Sequence, residues 1–297
     1  MIPKNNFNSN YNENSDTKAK NILSPKLDVI FQILFGEVGS EKITKDFLSS
    51  MLSEEINEIS LDENIILRRE IPEEKMGIVD VLAKINNTEY CNIEMQLTNK
   101  KNLIKRMLYY WSKQYIKELK KGEDYKQLKR TIVILIADFE IEELKNIKYH
   151  SKWKIIEENE RKYILTEDLE FHIIQLSKMY KLNAEGKEKK LIEWLYFLNN
   201  PESKEVQGYM KNNESMRQAK EKLDHMSDDK VVRRLAELRE KAILDEREAE
   251  YTGYTKGKEE GVKEGVKLMA KKMKEEKITL ETIMKITNLS KEEIEKL

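Results

Sequence analysis

Seven consecutive residues, Thr131-Ile132-Val133-Ile134-Leu135-Ile136-Ala137, carry no charge and are almost wholly β-branched or aliphatic. A strand that is apolar on both faces needs cover on both faces, so this run predicts the central strand of a sheet packed between helices. The segments before it agree. Helical spacing follows Ser24-Pro25, an expected N-cap and first helical residue, with Ile30, Phe31, Leu34 and Phe35 on one stripe. It breaks between Gly36 and Gly39 and resumes with Ile43, Phe47, Leu48, Met51 and Leu52. Strand-like runs then come at 65–71, 77–85 and 89–97. A long helix is expected over about 100–121, ending at Gly122, and a late strand at 169–176. The order predicts an α/β protein with a small mixed sheet flanked by helices.

Two of those strands carry acids where apolar residues belong. Asp80 lies in Gly77-Ile78-Val79-Asp80-Val81-Leu82-Ala83, and Glu94 and Gln96 lie in Cys91-Asn92-Ile93-Glu94-Met95-Gln96-Leu97. A carboxylate inside such a run is costly unless something compensates its charge. If Asn86, Asn87 and Thr88 form the connecting loop, Ile85 faces Glu89, Asp80 faces Glu94 and Ile78 faces Gln96. A two-residue turn would send the two carboxylates to opposite faces, because a one-residue slip inverts a strand. The spacing therefore predicts an odd-length loop with Asn87 left-handed. Directly opposed side chains have Cβ atoms about 4.5–5.5 Å apart, and two carboxylates at that range repel unless a cation or a shared proton lies between them. With no thiolate or imidazole nearby, such hard oxygens select Mg²⁺ or Mn²⁺ over Zn²⁺. Acids on a solvated sheet face are the plainer reading of the same pattern. Gln96 beside Glu94, and the helix that follows, favour a metal and phosphodiester hydrolysis.

That helix is expected to bury Ile104, Met107, Leu108, Trp111, Tyr115 and Leu119. Another face presents Arg106, Tyr110 and Lys113, with Lys105 beside them. Residues 98–130 hold eleven Lys and Arg against three acids, in a chain whose formal net charge is only -1. A solvated lysine face would look similar, but this local concentration favours contact with a phosphate backbone.

Gly77-x-x-Asp80, Ile93-Glu94-Met95-Gln96 and the upstream helix with Asp28, Phe31 and Leu34-Phe35-Gly36 resemble the PD-(D/E)xK nuclease superfamily. With Arg106-x-x-Tyr109-Tyr110-Trp111 and Gly122-x-x-Tyr125, they are most similar to its recombination-promoting nuclease and transposase branch, over roughly residues 22–180. The resemblance implies a restriction-endonuclease-like αβββαβ core followed by a mainly helical extension, and a DNA endonuclease dependent on Mg²⁺ (or Mn²⁺). It implies that Asp80 and Glu94 ligate the metal, with the Met95 carbonyl helping, and that Asp28 is an additional acid. Gln96 would stand where related enzymes have a lysine. An amide orients water by hydrogen bonds but brings no charge. Proton removal would then fall on metal-acidified water, on an acid such as Asp28, or on the substrate phosphate. The alternative is a catalytically silent module of the same fold that binds DNA or protein. Choice between DNA and RNA is not encoded legibly.

One Cys and three scattered His leave no disulfide framework or Cys/His zinc cluster, and His172 is expected to be structural. No apolar stretch approaches a membrane span, so a reducing cytoplasm is the expected setting. Trp111, Trp153 and Trp194 are assigned to packing. Residues 1–21, rich in Asn and Ser, read as a disordered leader, and 22–182 as the nuclease domain. A helical extension is expected over 183–250, a glycine-periodic charged helix or tether over 251–275, and a short helix pair over 276–297 with Ser290 and Glu293 as a capping box. Gly253, Gly257, Gly261 and Gly265 recur every fourth residue. Each interior glycine costs a helix about 1 kcal/mol relative to alanine, so the segment is either a loose tether or a surface for self-association into a homo-oligomer. The last nineteen residues carry three Lys against four Glu, which disfavours a DNA-reading helix there.

Overall fold

In the computed structural model the described residues are 22–62, 66–67, 77–78, 80–99, 102–117, 119–179, 182 and 185–297. The leader expected over 1–21, and most of the strand expected over 65–71, lie outside them. Two helices, α1 (Asp28–Gly36) and α2 (Glu41–Leu52), precede five strands: β1 (Ile59–Leu61), β2 (Ile66–Leu67), β3 (Gly77–Ile78), β4 (Val81–Ile85) and β5 (Glu89–Gln96). Helix α3 (Leu103–Ile116) then crosses over to β6 (Thr131–Ala137), followed by β7 (His150–Ile156) and β8 (Ile164–Gln175). The main sheet runs β1-β4-β5-β6-β8-β7, while β2 and β3 pair with each other. Strands β5, β6 and β8 are mutually parallel and the other pairs antiparallel, a mixed α/β sheet consistent with a restriction-endonuclease-like fold. Every residue of β6 is buried, as its composition requires.

On one face α3 packs Leu103 and Met107 onto Val133, Leu135, Ala137, Phe171 and Ile173. On the other lie α1 and α2, built around an aromatic cluster of Phe31, Phe35 and Phe47 that extends to Trp194. Trp194 belongs to α4 (Lys189–Asn199) and is fully buried, its indole N–H donating to Asp46 on α2 at 2.9 Å. Helices α5 (Lys204–Tyr209) and α6 (Glu214–Asp228) follow, and Asn213, the N-cap of α6, also donates to Asp46 at 3.0 Å. Helices α4 and α6 are thus tied to α2 by these bonds. The first unit ends at Glu237 and the second covers Leu238–Leu297.

Helix α7 (Lys230–Glu275) contains all four periodic glycines, so the segment is helical rather than a tether. A Cβ built at any of the four meets nothing within 4 Å among the described residues. In the second unit, α8 (Leu280–Thr287) and α9 (Lys291–Glu295) fold back so that Ile283 and Ile294 bury against Ala270. Ser290 and Glu293 form the expected capping box.

Several local readings need correction. Ser24-Pro25 does not start α1; the Leu27 N–H bonds to the Ser24 carbonyl at 3.2 Å, closing a turn with Pro25 at its second position, and the helix begins at Asp28. Strands β1 and β7 were not anticipated: both are sheet edges, where one-sided exposure weakens the alternation signal. Trp153 lies on β7 with 40% of its surface exposed and is not a core residue.

Candidate metal-binding site

The β4–β5 hairpin sets the site. Ile85 pairs with Glu89 and Val81 with Ile93, so the loop is the odd-length Asn86-Asn87-Thr88 that the spacing demands. Both Asn86 (φ 49°) and Asn87 (φ 59°) are left-handed, where only Asn87 was expected. The Asn86 side chain accepts from the Asn57 and Glu58 amides, which fixes the loop against the segment entering β1.

One step beyond the Val81–Ile93 pair, Asp80 falls opposite Glu94. There the expected strand over 77–85 breaks. Ile78 pairs with Ile66 on β2 and not with Gln96. There the Asp80 Oδ2 accepts the Met95 N–H at 2.7 Å, in place of a backbone acceptor. A side chain thus caps the ladder, and the carboxylate is anchored on β5 one residue from Glu94. Gly36 makes room for this bend. A Cβ there would lie 3.2 Å from Val81 Cγ2 and 3.4 Å from the Asp80 carbonyl oxygen, so α1 meets Asp80 closely only with glycine.

Glu94 is 2% exposed, and its Oε1 has no hydrogen-bond partner among the described residues. Burial pushes its carboxyl up to about 8; the adjacent Asp80 charge adds to the rise, and Arg106 on α3 partly offsets it. Burial thus favours the protonated form, which a bound cation would have to displace. Asn92, two residues before Glu94 on the same face, and Gln114 on α3 are also enclosed, with neither side-chain polar atom partnered among the described residues. Buried polar atoms without partners mark places that ordered water or ions normally fill. An orphaned, acid-flanked carboxylate oxygen fits a hard divalent cation. The thiol of Cys91 is no competitor: it is buried and desolvation raises its pKa far beyond the neutral range.

Asp28 opens α1, eight residues before Gly36, or roughly 12 Å along the axis from the point where that helix touches Asp80. Its Oδ1 accepts the Val29 N–H at 2.8 Å. Among the described residues no group of three or more His, Cys, Asp or Glu gathers as a metal cluster, so the acids brought together are the pair Asp80 and Glu94. Gln96 ends β5, half-buried, and its carbonyl accepts the Asp138 N–H at 2.9 Å.

Helix α3 lies over the acids, but rotated from the expected stripe. Its buried line is Leu103, Met107, Tyr110 and Gln114. Ile104 and Leu108 are exposed, and they border a surface pocket of about 280 Å³ shared with Trp153 on the flank away from the acids. The Tyr110 ring packs on Leu82 and Tyr90, and its hydroxyl accepts from Arg106 Nη2 at 3.2 Å. Lys105 is exposed and Lys113 half-buried on the same helix. Trp111 packs as expected, its indole N–H donating to the Thr131 carbonyl. No helix is long and apolar enough to cross a membrane among the described residues.

No curated protein and no solved structure matches the chain. Over residues 25–252 the sequence matches the family described as PD-(D/E)XK nuclease family transposase, and by that match the chain belongs to this family of nuclease-like transposases.

Proposed function

We propose that this protein is a metal-dependent DNA endonuclease of the transposase-like, recombination-promoting kind, working in a reducing cytoplasm. The observation that carries the proposal is the Asp80–Glu94 pair across one hairpin, with a buried Glu94 oxygen lacking a partner among the described residues. Asp80 and Glu94 would hold Mg²⁺ or Mn²⁺, which when bound acidifies water and neutralises charge at the phosphate. The Met95 N–H keeps the Asp80 carboxylate in place. Gln96 offers an amide to orient water, and Asp28 an acid at the mouth of α1. Lys105 and Lys113 track the phosphate backbone along α3, with the Tyr110 hydroxyl supporting Arg106. Water attacks phosphorus in line, its oxygen forming the new P–O bond as the opposite ester bond breaks, and the leaving oxygen collects a proton. Self-association through the C-terminal helices would use the open glycine face of α7.

A binding-only reading is favoured by one observation: Glu94 is almost fully buried, and burial together with the Asp80 charge pushes its carboxyl pKa up. Incubation with supercoiled plasmid separates the two. The nuclease reading expects nicked or linear product with Mg²⁺ or Mn²⁺ and none after chelation. Retarded but intact plasmid with either metal would decide for binding alone.

A further inference from the structure

Resting on the nuclease reading above, we infer that the Arg106 guanidinium meets the scissile phosphate, supplying from α3 the positive charge that the Gln96 amide cannot supply from β5. The placement follows from the two packing points on either side of Arg106. Met107 joins the apolar cluster that includes Leu135, the β6 residue in register with Glu94. Tyr110 packs on Leu82, two residues along β4 from Asp80. Arg106, one turn before Tyr110, therefore leaves α3 on the flank turned toward the two acids.

Its orientation is held from below. Nη2 donates to the Tyr110 hydroxyl at 3.2 Å, and the guanidinium carbon stands 5.7 Å from the centre of the Tyr110 ring. No carboxylate is paired with Arg106 among the described residues. Among the described residues, Lys26 binds both oxygens of Asp138 at 3.0 and 2.9 Å, and Lys117 binds Asp62 at 3.2 Å. Arg106 is thus an aimed, half-buried cation whose remaining donors have no partner among the described residues. In the displacement, negative charge grows on the phosphate oxygens as the P–O ester bond lengthens. A planar guanidinium matches two such oxygens at once, which a lysine ammonium does not.

The test is steady-state cleavage by Arg106→Ala and Arg106→Lys, with duplex binding measured separately by fluorescence anisotropy in Ca²⁺. A group acting on the transition state lowers kcat by about 10²–10³ when removed, with KM and duplex affinity held within about threefold, since the loss is not uniform binding. Arg106→Lys keeps the charge and stem, guarding against misfolding, and recovers only part of kcat. Added guanidinium ion restores part of the Arg106→Ala rate, and Tyr110→Phe, which loses only the aiming hydroxyl, shows a smaller fall in kcat. A higher KM at unchanged kcat, or no guanidinium rescue, makes Arg106 an ordinary backbone contact and overturns the inference while leaving the nuclease reading intact. Absence of any cleavage by the wild-type chain overturns both.

Discussion

Asp80→Asn abolishes plasmid cleavage, with a fall in rate of about 10³ or more, while the protein stays folded. Metal-borne stabilisation of charge in such a reaction amounts to several kcal/mol, and each 1.36 kcal/mol is tenfold in rate. Asparagine keeps the shape of the side chain, and its carbonyl oxygen can still accept the Met95 N–H that caps the β4 ladder. It removes only the charge. The loss therefore isolates metal binding from the structural role, which alanine would confound. Thermal unfolding within a few degrees of wild type, together with cleavage below detection, is the expected pair of results. Unchanged cleavage by a folded Asp80→Asn chain would remove Asp80 from the chemistry.

Glu170→Ala produces the largest loss of stability. Glu170 lies on β8, fully buried, and is bonded by Arg130 at 2.9 Å, Lys152 at 2.6 Å and His172 at 2.7 Å, with Lys154 at 3.4 Å. Burial alone would raise its pKa, but the hydrogen bonds from His172, Lys152 and Arg130 outweigh it and hold the carboxyl far below the usual range. Arg130 in turn reaches Glu89 at 3.0 Å and Glu54, tying β5, β6 and the end of α2 together. Removing the shared anion leaves these cations facing one another. Breaking a buried pair in this way costs about 3–5 kcal/mol, or roughly 6–20 °C in Tm for a unit of this size. The sign with pH follows: a depressed acid contributes stability above its unfolded pKa, near 4.5, which is lost as pH falls below that value. Wild type should thus lose stability more steeply than Glu170→Ala below pH 4.5. Calorimetric melting curves at pH 7 and pH 3.5 check both statements, and a Tm within 2 °C of wild type at pH 7 would contradict them.

The central elements were legible because their signals are strong and local. The apolar run 131–137 could only be a doubly covered strand, and all of it is buried. The Asp80–Glu94 register was legible because a period of two makes loop length decide which face each acid takes. What the sequence hid depends on tertiary context. The break at Asp80 coincides with one side-chain bond to Met95, invisible to alternation. The α3 stripe was misread because Tyr110 and Gln114 are buried beneath it while Ile104 and Leu108 face outward, and amphipathic patterning assigns aliphatic residues to the core first. The Glu170 network was missed for a related reason. Its members Arg130, Lys152 and Lys154 are scattered over a loop and an edge strand, and only the sheet order brings them together.

Mn²⁺ titration by calorimetry, comparing the wild-type chain with Glu94→Gln, tests the account most directly. The substitution leaves shape and burial nearly unchanged and removes the negative charge that a cation needs, so the variant remains folded. Wild type is expected to bind one Mn²⁺ ion at the β4–β5 hairpin, and Glu94→Gln to give no heat of binding there. Equal binding by both chains, or none by the wild type, would show that Asp80 and Glu94 do not hold a metal.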